Sequence, residues 1–192
     1  MAGKQAKVLT RPMFGQMIKA VGKSRHPTRN KAIILLSVKA GLRASEIAKL
    51  TWPMVLNAKG EVSKVIELHN KAAKNLHGRT IPMHPELQKT LLQLLRHKQD
   101  DCASVIVSER GESMQPSSIV NWFQQLYFDL NMKGCSSHSG RRSFVTQAAR
   151  KIHLVGGSLK DVQQLAGHRS LETTQAYIEG DSSIQRRLIA RL

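Results

Sequence analysis

The chain has 192 residues, 41% of them hydrophobic but with only two Trp, two Tyr and four Phe, so it is long enough for one domain whose core is mainly aliphatic. Thirty Lys and Arg against thirteen Asp and Glu leave a formal charge of +17, which points to a polyanionic partner whose counterions are released on binding. The positives are spread along the chain rather than gathered beside an apolar helix, which argues against a membrane surface, and "AIILLSVKAGL" is too short and too interrupted by Lys39 to span a bilayer.

Cys102 and Cys135 stand apart, with no CxxC spacing, and the first apolar run begins only at Ala32. A reduced, cytoplasmic protein without a signal peptide is the expectation. The eight histidines form no HExxH and join no Cys cluster, and neither GxxxxGK[ST] nor GxGxxG occurs. The motifs therefore predict no metal and no nucleotide cofactor.

In chain order, residues 1–12 read as a basic arm, either contacting phosphates or frayed. A short helix is expected over 13–21, then a loop, then an apolar helix over about 31–40 that ends at Gly41. "RASEIAKL" restarts helical spacing with Ile47 and Leu50 inward, and Trp52-Pro53 stops it. Two β-like runs at 65–68 and 79–83 flank the basic stretch "HNKAAKNLHG" and predict a long-looped hairpin. Pro85 opens a helix with Leu87, Leu91, Leu94 and Leu95 at helical spacing.

"SVIVSERGESMQ" reads as a short buried strand and a loop, and "PSSIVNWFQQLYFDLNM" as a helix closed by Gly134. "SSHSGRRSFVTQAARKI", "SLKDVQQLAGH" with its Ser-x-x-Asp cap, and "SLETTQAYI" predict three further helices. The fold class expected is mainly α with a small antiparallel β-sheet (α+β). Residues 13–180 make one domain, 1–12 an arm and 181–192 a tail, with no repeat or linker to indicate a second domain.

Tyr177 is the first candidate for chemistry. A tyrosine late in an amphipathic helix is ordinarily a packing residue, and as a nucleophile a phenol of pKa about 10 needs cationic neighbours. "HSGRR" offers them, with His138 and Arg141 three apart on one helix face, where a guanidinium forks onto two phosphate oxygens and the imidazole reaches a third. "GLRASEIAKLTW" adds Arg43, with Glu46 three residues on, either as an ordinary helix start or as a carboxylate that holds the arginine rigid.

These segments resemble the tyrosine recombinases, enzymes that cut and rejoin DNA through a phosphotyrosine. That family has a GLR-x-SE segment followed by Leu-x-Trp, a His-x-x-Arg box, a Gly-His, and a tyrosine nine residues later. Here they read "GLRASEIAKLTW", "HSGRRSF", "AGHRS" and Tyr177, in that order. The family's lysine lies in a hairpin loop eight residues before a strand proline, and counting back from Pro82 gives Lys74, with Lys71 a rival in the same loop. The likeness runs from about Leu9 to the C-terminus.

The resemblance implies that Arg43, Lys74, His138, Arg141, His168 and Tyr177 carry catalysis and that Glu46 supports Arg43. It implies double-stranded DNA as substrate, no metal or ATP, and a homo-oligomer, a tetramer, on DNA. Accessory DNA-bending proteins are further partners of such a switch or mobile-element integrase. A type IB topoisomerase, or a non-catalytic DNA-binding protein on the same fold, is the alternative reading.

Three features depart from the family pattern. Gly140 and Arg142 flank the second arginine, where Leu and His are usual. A glycine there implies either close backbone approach or a helix that begins at that point. Larger members also carry an N-terminal helical domain for which this chain has no room. In "DSSIQRRLIARL", Ile184, Leu188 and Ile189 have helical spacing, which suits either a tail packed on its own domain or, as the resemblance implies, one that docks on a neighbouring subunit.

Overall fold

The computed structural model describes residues 6–70, 72, 78–98, 102–177 and 189–190. The hydroxyl of Thr10 accepts from the Met13 N–H at 3.4 Å and caps α1, Arg11–Val21. Arg11 and Pro12, expected in the arm, thus belong to the helix. The preceding residues are tied down as well. Lys7 N–H donates to the Gly134 carbonyl at 2.9 Å, Leu9 N–H donates to the Ser143 hydroxyl at 2.7 Å, and the Leu9 side chain is buried.

Helix α2 spans Pro27–Lys39 and starts four residues earlier than its apolar pattern suggested, because Pro27 suits a first helical turn. Ala32, Ile33, Ile34, Leu35 and Leu36 are all fully buried, so the middle of this helix is covered on every side and forms the axis of the core. Each such Leu or Ile contributes about 1.5–3 kcal/mol. Helix α3, Ala44–Ala48, follows, and a 3₁₀ turn over Trp52–Met54 stops it where Trp52-Pro53 predicted.

Strands β1, Val65–Leu68, and β2, Arg79–Pro82, pair antiparallel with Val65 opposite Pro82 and Leu68 opposite Arg79. Helix α4 is Pro85–Leu95, α5 is Pro116–Asp129, α6 is Ser139–Lys151, α7 is Leu159–Ala166 and α8 is Leu171–Gln175. A 3₁₀ turn over Ile152–Val155 separates α6 from α7. Helices α1, α4 and α6 pack on α2, while α5 packs on α3. The architecture is therefore the mainly helical one with a two-stranded antiparallel sheet. No described helix is long and apolar enough to cross a membrane.

Three expectations are corrected. The run around Val105 and Ile106 is buried but is not a strand. It makes only isolated bridges, Thr51 with Ser104 and Val107 with Ser113, because its neighbours are turns that offer no continuous edge. Helix α5 ends at Asp129 rather than near Gly134, and Asn131, at φ 51°, takes the left-handed position. His138 is the N-cap of α6 rather than a residue within it, with its carbonyl accepting the Arg142 N–H at 2.9 Å, and it still lines one cleft with Arg141.

Helix α6 begins at Ser139 and also lies unusually close to α2, so both readings of Gly140 hold. A methyl group at Gly140 would collide with the Ser37 hydroxyl and lie 2.9 Å from Ser37 Cβ. Gly140→Ala is expected to lower stability by about 1–3 kcal/mol through overpacking, measured as a lower denaturant midpoint. The gain of about 0.4–1 kcal/mol usual for Gly→Ala where there is room would show that α6 does not approach α2 this closely.

Candidate active site

The geometry starts at Gly41, whose φ is +67° and whose α-hydrogen faces the Phe144 ring of α6, so a side chain there would be strained and would clash. This turn brings Arg43 to the start of α3. Glu46, in the first turn, accepts from the Arg43 backbone N–H and from the Arg43 guanidinium, both at 2.9 Å. The Glu46 side chain is 0% exposed. A buried carboxylate with one partner would be costly, and a second guanidinium meets it. Arg79 donates to Oε1 at 3.0 Å and to Oε2 at 3.1 Å, and its Nε–H donates to the Leu165 carbonyl at 3.0 Å.

Burial works to raise the Glu46 pKa, but the hydrogen bonds and charges of Arg79 and Arg43 outweigh it and hold the carboxyl at about 2. At neutral pH one buried anion thus offsets part of the charge of two cations and fixes Arg43, whose side chain remains 19% exposed toward the cleft.

Arg141 is nearly buried and clamped by two carbonyls, Gly41 at 2.6 Å and Ala166 at 2.7 Å. It therefore ties α6 both to the turn before Arg43 and to the end of α7. Burial lowers its pKa to about 10, with Arg43 adding to the effect and Glu46 opposing it, so the guanidinium stays charged. Gly167, at φ +63°, ends α7 against the Arg79 side chain and delivers His168. The His168 backbone is held at both groups by Gln163, its N–H at 3.1 Å from the Gln163 carbonyl and its carbonyl at 3.1 Å from Gln163 Nε2.

His168 Nδ1 lies 3.0 Å from the Thr174 hydroxyl. Burial, and then Arg141, Arg43 and Arg79, push its pKa down to about 4, so the ring is neutral at neutral pH. It stacks on Tyr177 with ring centroids 5.4 Å apart and planes at 23°. Tyr177 lies just past α8 rather than within it, its N–H donating to the Thr174 carbonyl at 3.2 Å. Its half-buried ring packs on a small cluster of Val145, Ala149, Val162 and Ala166 between α6 and α7. Arg141 lies close enough to Tyr177 to interact with it electrostatically.

A cleft of about 510 Å³ gathers Arg43, His138, Arg141, His168 and Tyr177. His138 is exposed there, with its backbone N–H on the Ser136 hydroxyl at 3.3 Å. Arg142 also lines the cleft, and no carboxylate is among the described lining residues, because Glu46 lies behind the arginines. Lys74 and its rival Lys71 fall outside the described residues, as does most of the tail. Among the described residues no cluster of three His, Cys, Asp or Glu could hold a metal.

Sequence reasoning missed Arg79, Gln163 and Thr174. For Arg79 a signal was present, since in strand β2 it has the same parity as the buried Ile81 and so must point inward. The links from Gln163 and Thr174 to His168 depend on how α7 and α8 meet, which no local pattern encodes.

The mainly helical arrangement matches solved recombinase and integrase structures in fold. It superposes on the XerA recombinase with TM-score 0.76 at 23% identity, covering 96% of this chain and 64% of that one. It superposes on the Tn1549 transposon integrase, in complex with a circular intermediate DNA, with TM-score 0.77 at 19% identity, covering 100% of this chain and 67% of that one. In sequence it is 30% identical over 154 residues to tyrosine recombinase XerC of Rickettsia prowazekii (strain Madrid E), covering 79% of this chain and 47% of that protein. The chain thus spans about half the length of that curated relative. The phage integrase family model matches residues 7–183, and the chain belongs to that family.

Two groups of the site give acid sensitivity. His168 has a folded pKa below its ordinary 6.5, so the stability it contributes is present above pH 6.5 and is lost as pH falls toward about 4. Glu46, depressed from 4.5 to about 2, contributes on the order of 3 kcal/mol that is present above pH 4.5 and is lost as pH falls through about 2. Denaturant titrations across pH are expected to show both losses in the wild type, and Glu46→Gln is expected to lack the lower one. An unchanged lower loss in Glu46→Gln would remove the ion pairs as its cause.

Proposed function

We propose that this chain is a site-specific DNA recombinase that cuts and rejoins strands by transesterification through a bond between Tyr177 and a 3′ phosphate. The observation that carries this reading is the convergence of a tyrosine, two fixed guanidiniums and two imidazoles from three separated stretches in one cleft. The family membership, and the integrase neighbour in complex with DNA, support it.

In the reaction, the Tyr177 oxygen attacks the scissile phosphorus, the phosphorus bond to the 5′ oxygen breaks, and the phenol proton leaves to a base. His138, exposed in the cleft, is the group offered for that proton. Arg43 and Arg141 hold the non-bridging oxygens and stabilise the charge that builds on them, a term usually worth more than any other in such sites. His168 is neutral, with Nδ1 engaged by Thr174, and offers Nε2 to a phosphate oxygen. Lys74, or Lys71, would donate the proton that the departing 5′ oxygen needs. The phosphotyrosine retains the energy of the broken ester, so a 5′ hydroxyl from another strand reverses the attack without ATP. Exchange between two duplexes calls for several copies, a tetramer on DNA.

The test is recovery of DNA covalently attached to the protein after lysis of expressing cells in SDS, followed by sequencing of its ends. Adducts are expected from the wild type and not from Tyr177→Phe, and their ends define the target site. Replacing either Arg43 or Arg141 with Ala is expected to slow single-turnover cleavage by about 10²–10³. Equal DNA recovery from the wild type and Tyr177→Phe would contradict the reading.

A further inference from the structure

A second basic groove adjoins the cleft, and Arg142 stands in the wall between them. The groove encloses about 650 Å³ and is lined by Lys7, Lys133, Ser136 and Arg142 around the backbone at Gly134, with no carboxylate in its described lining. It shares Ala6 and Arg142 with the catalytic cleft, so the two spaces are contiguous. The Ser136 hydroxyl that lines the groove also accepts the backbone N–H of His138, which lines the cleft. Whatever occupies the groove therefore lies beside whatever occupies the cleft.

The cations of this groove are placed by the fold rather than scattered over a surface. Arg142 donates one guanidinium N–H to the Ala6 carbonyl at 3.0 Å, and its backbone N–H donates to the His138 carbonyl at 2.9 Å. Its Nε–H is buried and has no hydrogen-bond partner among the described residues. Lys7 is fixed by its backbone bond to Gly134, and its side chain passes over that glycine, 3.9 Å from where a Cβ would stand. Lys133 precedes the same glycine and is exposed. A guanidinium and two ammonium groups around one groove, with no anion in its described lining, suit one ligand chemistry, an oxyanion with several acceptor oxygens.

We infer that Lys7, Lys133 and Arg142 form a second phosphate site, which grips the DNA backbone at a non-scissile phosphate next to the one held in the cleft. The inference rests on the DNA-cleavage reading above and names what aligns its substrate. A nucleic-acid strand carries its phosphates at regular intervals, so a strand with one phosphate in the cleft presents the next to a contiguous groove. Holding two phosphates fixes the direction of the strand, which one cannot do, and so lines up the scissile phosphorus with Tyr177. The contact carries no base information. The arginine in place of the family's usual histidine thereby acquires a purpose, and the segment at Ala6 and Lys7 becomes part of the substrate path.

The experiment uses the full chain and a duplex bearing the cleavage site recovered with the Tyr177 adduct. Wild-type protein must first form that adduct on unmodified DNA, and failure at this step removes the cleavage reading and the inference with it. Neutral methylphosphonates are then introduced one at a time at the non-scissile positions on either side of the cleavage point. Binding is measured for the wild type, Arg142→Gln, Arg142→Lys and Lys133→Gln, with the Tm of each variant.

At one flanking position, neutralisation is expected to weaken wild-type binding on the order of tenfold. The same change is expected to have little further effect on Arg142→Gln, because the two remove the same contact. Arg142→Gln is also expected to lower the slope of log affinity against log salt by about one, and Arg142→Lys to retain most of the affinity. If Arg142→Gln lowers Tm enough to unfold, Lys133→Gln, altered on an exposed side chain, is expected to show the same dependence at the same position. Losses that add at every position, or wild-type affinity and salt slope in a folded Arg142→Gln, would overturn the inference and leave Arg142 only as the clamp on Ala6.

Discussion

The Glu46 carboxylate, fully buried between Arg43 and Arg79, is the constraint on which the site depends. A centre that binds phosphate must hold several guanidiniums close together, and like charges resist that. The fold places one anion behind the cations rather than in the cleft, so repulsion is relieved where no ligand binds and the open face stays positive. The same carboxylate joins three elements. Arg43 begins α3, Arg79 belongs to β2, and Arg79 reaches on to the carbonyl of Leu165 in α7. Removing one member of such a set strands the others, because a buried charge without its partner costs far more than an exposed pair contributes.

Helix α6 supplies the other half of the assembly. Its glycine at 140 lets it press against α2, its Arg141 clamps the Gly41 turn and the end of α7, and its Val145 and Ala149 support the ring of Tyr177. The cations and Tyr177 do not rest on equal foundations. Arg43 and Glu46 are backed by the main core around α2, whereas Tyr177 rests on a separate cluster of four buried side chains and on the His168 ring. The cationic groups thus form the fixed part of the site, and the tyrosine is brought to them by two short helices.

Much of this was legible in the sequence, for reasons that differ by residue. That Arg43, Arg141, His168 and Tyr177 belong together was implied by the resemblance carried by "GLRASEIAKLTW", "HSGRRSF" and "AGHRS", and the structure brings all four to one cleft. The pairing of 65–68 with 79–82 was readable from alternation, and α2 from its unbroken apolar run. The stretch around Val105 was misread because burial without an edge to pair with looks like a strand in composition alone. His138 was read as lying within α6, whereas it is the N-cap, a boundary that residue types alone do not fix because the cap has helical backbone angles. Arg79 went unnoticed since its importance lies in Glu46, 33 residues away in sequence.

The most direct test of the account is a double-mutant cycle on single-turnover DNA cleavage with Glu46→Gln and Arg79→Gln. If the buried carboxylate organises the site through both arginines, each change slows cleavage and the double variant is little slower than Glu46→Gln alone, a coupling of about 0.5–3 kcal/mol. Losses that simply add would mean that the two residues act separately and that Glu46 is not the anchor of the site.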